Sequence, residues 1–323
     1  MLTDFQFSIG NGQLFRVPID VAVAANGDVV VADVGASQLL AFTKEGAPKW
    51  TFGSSGNERG QFARVTQVAV LETGEVAASD ERRQRVVFLS RDGKLLREPH
   101  LPFALGRVDG LVGMGGGRIG LAARTRWEGR DAHRTSVHVF SPSLEHLFSF
   151  GPVPRVEDPD LLLSWGVGSL RRAPEHGGVI LGLKIPYDVW TYSVEGRPLN
   201  HIQVPLGREY TADDVWTVER TGHGRVSRRL SSRPVPIPAG AGRIVGGAML
   251  SQRSVQSTGE RYWDILDTTG RILQSEAVPS DWIYPSAVAD DGATLVVIGE
   301  KGGDPAVIVV RVRQVISDRR DEL

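Results

Sequence analysis

A pattern that occurs twice near the start of the chain constrains the fold more than any other feature of the sequence. Residues 19–46 and residues 66–93 each contain an apolar run, a turn ending in glycine, a second apolar run, an aspartate, a polar stretch, a third apolar run and another turn ending in glycine. In both copies the two turn glycines are 19 residues apart. Short apolar runs between turns, repeated every ~40–50 residues, are typical of folds built from repeated four-stranded β-sheets.

Weaker copies of this pattern continue toward the C-terminus. The first turns of these copies are marked by Gly117, one of Gly177 and Gly178, and Gly292. The second turns are SPSL (141–144), SVEG (193–196) and DTTG (267–270). One mark is missing, and we expect it near residues 240–242. The spacing predicts six units of one plan, with seven units as the alternative if residues 200–245 contain a complete unit.

The size of the side chains predicts how the units are arranged. The first strands are rich in small residues, as in DVAVA (20–24), whereas the third strands contain large ones, as in RVVFL (85–89). This gradient suits sheets that radiate from an axis, because they are closest together at the axis. The predicted fold is therefore an all-β, six-bladed β-propeller of four-stranded antiparallel blades, forming a single domain over residues 1–323.

The two ends of the chain are expected to close the ring together. The last unit is one strand short, and residues 4–10 provide an apolar strand that no other unit needs. We predict that Phe5–Ile9 pairs with a last strand near Ala306–Val312, which removes an open sheet edge.

One stretch departs from the repeat. Residues 205–242 contain an acidic segment, then a basic one, then a proline-rich one, and are predicted to form a surface insertion in the fifth blade. Within it, TADDVWTVER (211–220) is predicted to form two helical turns, because Thr211 suits an N-cap and acidic residues follow in the first turn.

The residues that precede the second copy resemble the NHL repeat family. In GSSGNERGQFARVTQVAV (53–70), spaced glycines lead to a Gly-Gln-Phe step and then to an apolar inner strand, and Asp33 ends the strand VADV (31–34) as in that family. The resemblance is good over residues 5–97 and weaker beyond. The sequence is similar to bacterial six-bladed propellers of NHL and TolB-like type, whose members range from RNA binders to lyases and lactonases. Residues 1–10 show no signal-peptide pattern, so the protein is either cytoplasmic or exported after signal removal, and the resemblance implies that export is plausible because many of these propellers are exported.

Composition excludes several classes of function. The absence of cysteine excludes a disulfide scaffold, a thiolate metal site and a cysteine nucleophile. A net charge of −1 gives no global attraction to nucleic acid or to a membrane surface. No apolar run reaches the ~18 residues of a membrane span, and no phosphate-binding or dinucleotide motif is present. We expect no cofactor and no nucleic-acid partner, and the oligomeric state is left open.

Basic residues recur where a propeller brings its loops together. The loop that enters a first strand and the loop between the second and third strands lie on one face, around the mouth of the central tunnel. The predicted ligand-binding set is Arg64, Arg107, Arg124, Arg126 and Lys184, with Trp127 as an apolar wall. Arginine suits an anion because its planar fork donates two hydrogen bonds at once. In the alternative, these charges are neutralised by Asp33, Asp80, Glu81 and Glu128.

An enzyme at the same mouth is the alternative function. A metal-dependent, lactonase-like hydrolase needs several converging carboxylates, but the register offers Asp20, Gln67 and Asp109, which are too few for a hard cation. A lyase resembling the streptogramin-cleaving propellers would need a histidine at the mouth, where only His133 falls. We therefore predict a non-enzymatic scaffold that binds a protein or a small anionic ligand, and we assign no catalytic residue and no metal ligand.

Overall fold

The computed structural model describes most of the chain as β-strands. It describes residues 3–9, 14–125, 135–152, 168–173, 178–183, 188–203, 216–220, 226–230, 236–243, 249–255, 260–267, 269–279, 281–288 and 294–312. Within these residues the only helical element is a single 3-10 turn at Glu81–Arg83. The predicted all-β class is confirmed.

Twenty-six strands are present in the described residues. Those of the first half are β1 (Thr3–Ile9), β2 (Pro18–Val23), β3 (Val29–Asp33), β4 (Gln38–Phe42), β5 (Pro48–Phe52), β6 (Val65–Val70), β7 (Val76–Asp80), β8 (Arg85–Leu89), β9 (Leu95–Arg97), β10 (Leu105–Gly113), β11 (Ile119–Thr125), β12 (Val137–Phe140) and β13 (His146–Phe150). Those of the second half are β14 (Gly168–Ala173), β15 (Gly178–Leu183), β16 (Asp188–Tyr192), β17 (Pro198–Gln203), β18 (Trp216–Arg220), β19 (Val226–Leu230), β20 (Pro236–Arg243), β21 (Met249–Val255), β22 (Arg261–Leu266), β23 (Ile272–Ala277), β24 (Trp282–Val288), β25 (Thr294–Lys301) and β26 (Asp304–Val312).

Five antiparallel sheets each contain four consecutive strands. They are β2–β5, β6–β9, β10–β13, β14–β17 and β20–β23, and we number these blades one to five. A further four-stranded sheet joins β24, β25 and β26 to β1, and we call it the composite blade. The structure thus has five blades that are continuous in sequence, whereas the sequence predicted six.

The inner strands contact one another in a closed cycle. This cycle runs β2, β6, β10, β14, β20, β24 and back to β2. Neighbouring blades meet along apolar faces, as where Leu39 of the first blade and Phe62 and Val87 of the second belong to one buried cluster. A cyclic arrangement of four-stranded antiparallel blades is a β-propeller, as predicted.

The two ends of the chain meet in the composite blade. Strand β1 pairs antiparallel with β26, with Thr3 opposite Val312 and Ile9 opposite Val307. The predicted pairing of the N-terminal strand with the last strand is therefore confirmed.

The predicted insertion differs from the structure in its extent. Pro236–Arg243 form β20, the inner strand of the fifth blade, so Gly240 and Gly242 lie in a strand and do not mark a turn. Before it, β18 and β19 pair as a separate two-stranded sheet between blades four and five. The helical prediction is wrong at Trp216–Arg220, whose alternating Val, Thr and Trp side chains favour a strand.

Candidate binding site at the tunnel mouth

In the first blade, a buried aspartate joins the loop that enters the blade to the turn between β3 and β4. The carboxylate of Asp33 is fully buried. It accepts hydrogen bonds from the backbone N–H groups of Arg16 at 2.7 Å, Val17 at 2.9 Å and Ala36 at 3.0 Å. The entering loop and the connection between the second and third strands therefore lie on one face, as the topology predicted for the tunnel mouth.

The second blade repeats this arrangement and adds a buried arginine. Asp80 accepts hydrogen bonds from the N–H groups of Ala63 at 3.2 Å and Arg64 at 3.0 Å. The Nε of Arg85 lies 3.2 Å from Asp80 Oδ2, and its Nη1 lies 2.6 Å from Glu98 Oε2. Arg85 also donates to the Gln61 carbonyl, and its side chain is only 1% exposed. The charge of Asp80 is thus compensated inside the protein.

These contacts bear on whether acids neutralise the arginines of the mouth. Asp33 and Asp80 point inward to backbone amides and to Arg85, whereas Arg16 and Arg64 are exposed. Within the described part of the chain the guanidinium of Arg64 forms no ion pair. Glu128 lies outside the described residues. In the first two blades, therefore, the mouth has arginines at its surface and two of its acids beneath it.

Apolar side chains accompany these arginines. Leu14, Val17 and Ile19 are 39%, 52% and 37% exposed, and they lie in the entering loop of the first blade and at the start of β2. Exposed apolar residues beside arginine are typical of surfaces that contact partners.

The structure describes some of the predicted ligand-binding residues and not others. Arg64 lies in the entering loop of the second blade, as predicted. Arg107 lies within β10, not in the loop before it; its side chain is 62% exposed, and its Nε is 2.8 Å from Asp109 Oδ1. Arg124 is in β11, with no side-chain position described. Arg126, Trp127 and Lys184 lie outside the described residues, so their placement stays a prediction.

The sequence offered Asp20 only as a metal ligand and did not predict its electrostatic interaction with Arg171 of another inner strand. Asp20 of β2 is buried and accepts a hydrogen bond of 2.9 Å from Val68 N–H of β6. Burial raises the pKa of Asp20 to about 6, against the opposing effects of the Arg171 charge and of hydrogen bonds from the Val68 and Val21 amides. Arg171 is in β14 of the fourth blade, so the interaction spans the ring. SLRRA (169–173) lacks the glycine signals of the early repeats, and nothing in it marked this arginine.

The described residues contain no group of three or more histidine, cysteine, aspartate or glutamate side chains that could hold a metal ion. In the same part of the chain, no helix is long and apolar enough to cross a membrane.

Comparisons with known proteins agree with the repeat and with the fold. Residues 15–42 match the NHL repeat family. A segment of 76 residues is 34% identical to the protein brain tumor of Drosophila melanogaster; it covers 23% of this chain and 7% of that protein, so this chain spans a small part of its relative.

Two solved structures extend the similarity to the whole ring. A streptogramin B lyase structure superposes with a TM-score of 0.57 at 10% identity, covering 95% of this chain and 97% of that one. A gluconolactonase from Xanthomonas campestris superposes with a TM-score of 0.54 at 14% identity, covering 93% and 87%. At such identities the similarity establishes the fold alone. The chain is a β-propeller in which residues 15–42 match the NHL repeat.

Proposed function

We propose that the protein is a non-enzymatic binding scaffold in which the six sheets form one six-bladed ring and the tunnel mouth binds a protein or a small anionic ligand. One observation carries the proposal. Asp33 and Asp80 are buried against backbone amides, while Arg16 and Arg64 are exposed, and Leu14 and Val17 are exposed in the same loop as Arg16. The mouth of the first two blades therefore combines exposed positive charge with exposed apolar surface.

Arg107 extends the same surface to the third blade. Its pair with Asp109 occupies the Nε, and the side chain is 62% exposed. A guanidinium has five N–H donors, so its terminal nitrogens can still donate to a carboxylate, phosphate or sulfate. Arg124, Arg126, Lys184 and Trp127 complete the proposed site in the third and fourth blades.

Retention on immobilised phosphate tests this surface. The double variant Arg64→Ala/Arg107→Ala should elute from phosphocellulose at lower salt than the parent, because two anion contacts are lost. The control variant Arg197→Ala/Arg271→Ala removes the same charge from exposed arginines next to turns on the opposite side of the ring. The control should elute with the parent. Equal retention of all three proteins would overturn the proposal.

A lyase or a lactonase-like hydrolase at the same mouth is the second candidate. The observation that favours it is the pKa of Asp20, which burial raises to about 6, close to the value that suits an acid or base at neutral pH. Structures of a streptogramin B lyase and of a gluconolactonase share the fold. Acid release from glucono-δ-lactone, followed at constant pH, tests the hydrolase. A rate equal to the spontaneous one, or equal in the parent and Asp20→Asn, would exclude Asp20 from catalysis of this reaction.

A further inference from the structure

A cavity of about 310 Å³ opens between the first and second blades on the side of the ring opposite the mouth. It lies between the β2–β3 turn, which includes Asn26, and the β6–β7 turn, which includes Thr73. Its apolar lining comes from Val30, Ala41 and Val70, among other side chains. Its volume is at the lower end of the ~300–1,000 Å³ of small-molecule sites.

One wall of this cavity is an indole held in a fixed position. Trp50 Nε1 donates a hydrogen bond of 3.0 Å to the backbone carbonyl of Arg91 in the second blade. Gly93 packs against the ring so closely that a Cβ at that position would lie 2.6 Å from Trp50 Cδ2. The indole is therefore held by both blades, and the wall needs little ordering when a ligand binds.

The charges around the cavity do not cancel. Asp28 lies 2.5 Å from Lys49 Nζ and also accepts from the Asn26 amide at 2.9 Å. Glu72 lies 2.7 Å from an Arg172 Nη. Each lining carboxylate thus already has a cation. Arg91 is exposed, and its guanidinium forms no ion pair within the described residues. One positive charge is left over at the rim.

We propose that this cavity binds a small ligand with a flat apolar body and a single anionic group, such as an aromatic carboxylate or sulfonate. The apolar body packs on the Trp50 indole, and Arg91 binds the anion. An aromatic face next to an unpaired guanidinium provides both contacts at once. The site is independent of the proposed function, since it lies on the other side of the ring.

Titration with 8-anilinonaphthalene-1-sulfonate tests the cavity, because this probe has an aromatic body with one sulfonate and fluoresces on apolar surfaces. The parent should show saturable binding at one site. Arg91→Ala should weaken the probe's Kd roughly tenfold, the effect of losing one charge-assisted hydrogen bond. Thr73→Trp should abolish binding, since it fills the cavity from an exposed turn position. Arg82→Ala, an exposed arginine of the same blade at the mouth, should bind as the parent does.

Three outcomes would overturn the proposal. The first is a parent that shows no saturable binding. The second is a Kd for the probe that Arg91→Ala leaves unchanged. Because Arg91→Ala replaces an exposed side chain, this variant is sufficient to test the proposal even if Thr73→Trp does not fold. The third is loss of probe binding in a variant outside this cavity. One such variant is Arg311→Ala, which alters a neighbouring cavity of about 510 Å³ next to the composite blade. The other is Arg64→Ala/Arg107→Ala at the mouth.

Discussion

Arg97 in the second blade donates a hydrogen bond of 3.1 Å from its Nε to the backbone carbonyl of Pro142 in the third blade. Trp50 makes the corresponding bond from the first blade to Arg91 of the second. Both donors lie four residues after the residue with positive φ that ends a β-turn, which is Gly93 for Arg97 and Gly46 for Trp50. Equivalent positions of the repeat thus connect the first blade to the second and the second to the third through different side chains.

The turn glycines take part in the same contacts between blades. Gly196 of the fourth blade packs against Phe150 of the third, and Gly270 of the fifth packs against Ile202 of the fourth. These glycines have φ values of +76° and +88°. They are needed both for the left-handed backbone and for the absence of a Cβ.

A pair of glycine substitutions separates these two roles. Gly93→Ala and Gly74→Ala both place a Cβ on a left-handed residue, with φ of +77° and +81°, which should cost each protein about 1–2 kcal/mol. No atom lies within 4 Å of the Cβ at Gly74, whereas the Cβ at Gly93 meets Trp50. Gly93→Ala should therefore lose about 1–3 kcal/mol more, measured by urea unfolding. Equal losses would mean that the indole moves aside freely.

The two buried aspartates of the mouth should differ in their importance for stability. Asp33→Ala leaves three backbone N–H groups without their acceptor, and we expect a loss of about 2–3 kcal/mol. Asp80→Ala also leaves the buried Arg85 with Glu98 as its remaining acid, so we expect about 3–5 kcal/mol. Thermal and urea unfolding of the two variants test this order, and a larger loss for Asp33→Ala would contradict it.

Asp20 predicts a specific dependence of stability on pH. Burial raises its pKa in the folded protein to about 6, from an ordinary value of 3.8. The folded state therefore binds this proton more tightly, so its contribution to stability is full below pH ~4 and is lost as the pH rises through about 6. The total is on the order of 2–3 kcal/mol.

The variant Asp20→Asn isolates this effect. Its amide oxygen can still accept the hydrogen bond from Val68 N–H, and it carries no titrating charge. The free energy of unfolding of the variant minus that of the parent should increase between pH 4 and pH 7. A difference that is constant over this range would show that Asp20 titrates normally.

Removal of the N-terminal strand should destabilise the whole ring. Without residues 1–10, β26 loses its pairing with β1 from Thr3 to Ile9, and the composite blade has an open edge. We expect the free energy of unfolding to fall by several kcal/mol. A truncated protein that melts within about 2 °C of the parent would contradict this expectation.

The strands of the first two blades could be predicted because their signals are local. Gly27 and Gly74 adopt the positive φ that their turns require, and the apolar runs beside them form the strands. Local signals failed at residues 216–220, where an acidic start suggested a helix but pairing with β19 determines a strand. A pairing partner several residues away is not visible in helix-capping preferences.

Of the candidate site, only the positions that the propeller topology determines could be predicted from the sequence. Arg64 lies at the mouth because loops of one kind share a face. Arg107 pairs with Asp109 because both lie in β10, where residues two apart share a face, whereas the repeat spacing predicted Arg107 in the loop before the strand. Arg85 and Arg171 were missed because their roles depend on Glu98, which follows β9, and on Asp20 of another blade. Contacts between positions so far apart in sequence leave no pattern in a single chain.

The pairing of Thr3 with Val312 has a consequence for how the protein is made. During synthesis the first strand emerges early, but its partner is translated about 15–60 s later at ~5–20 residues per second. Throughout this interval the first blade has no neighbour on one side. Bringing such distant segments together also carries a large loop-closure entropy, which makes this the slowest step expected in folding. A nascent chain that stalls before residue 304 would therefore expose the apolar face of the first blade to other chains and to chaperones.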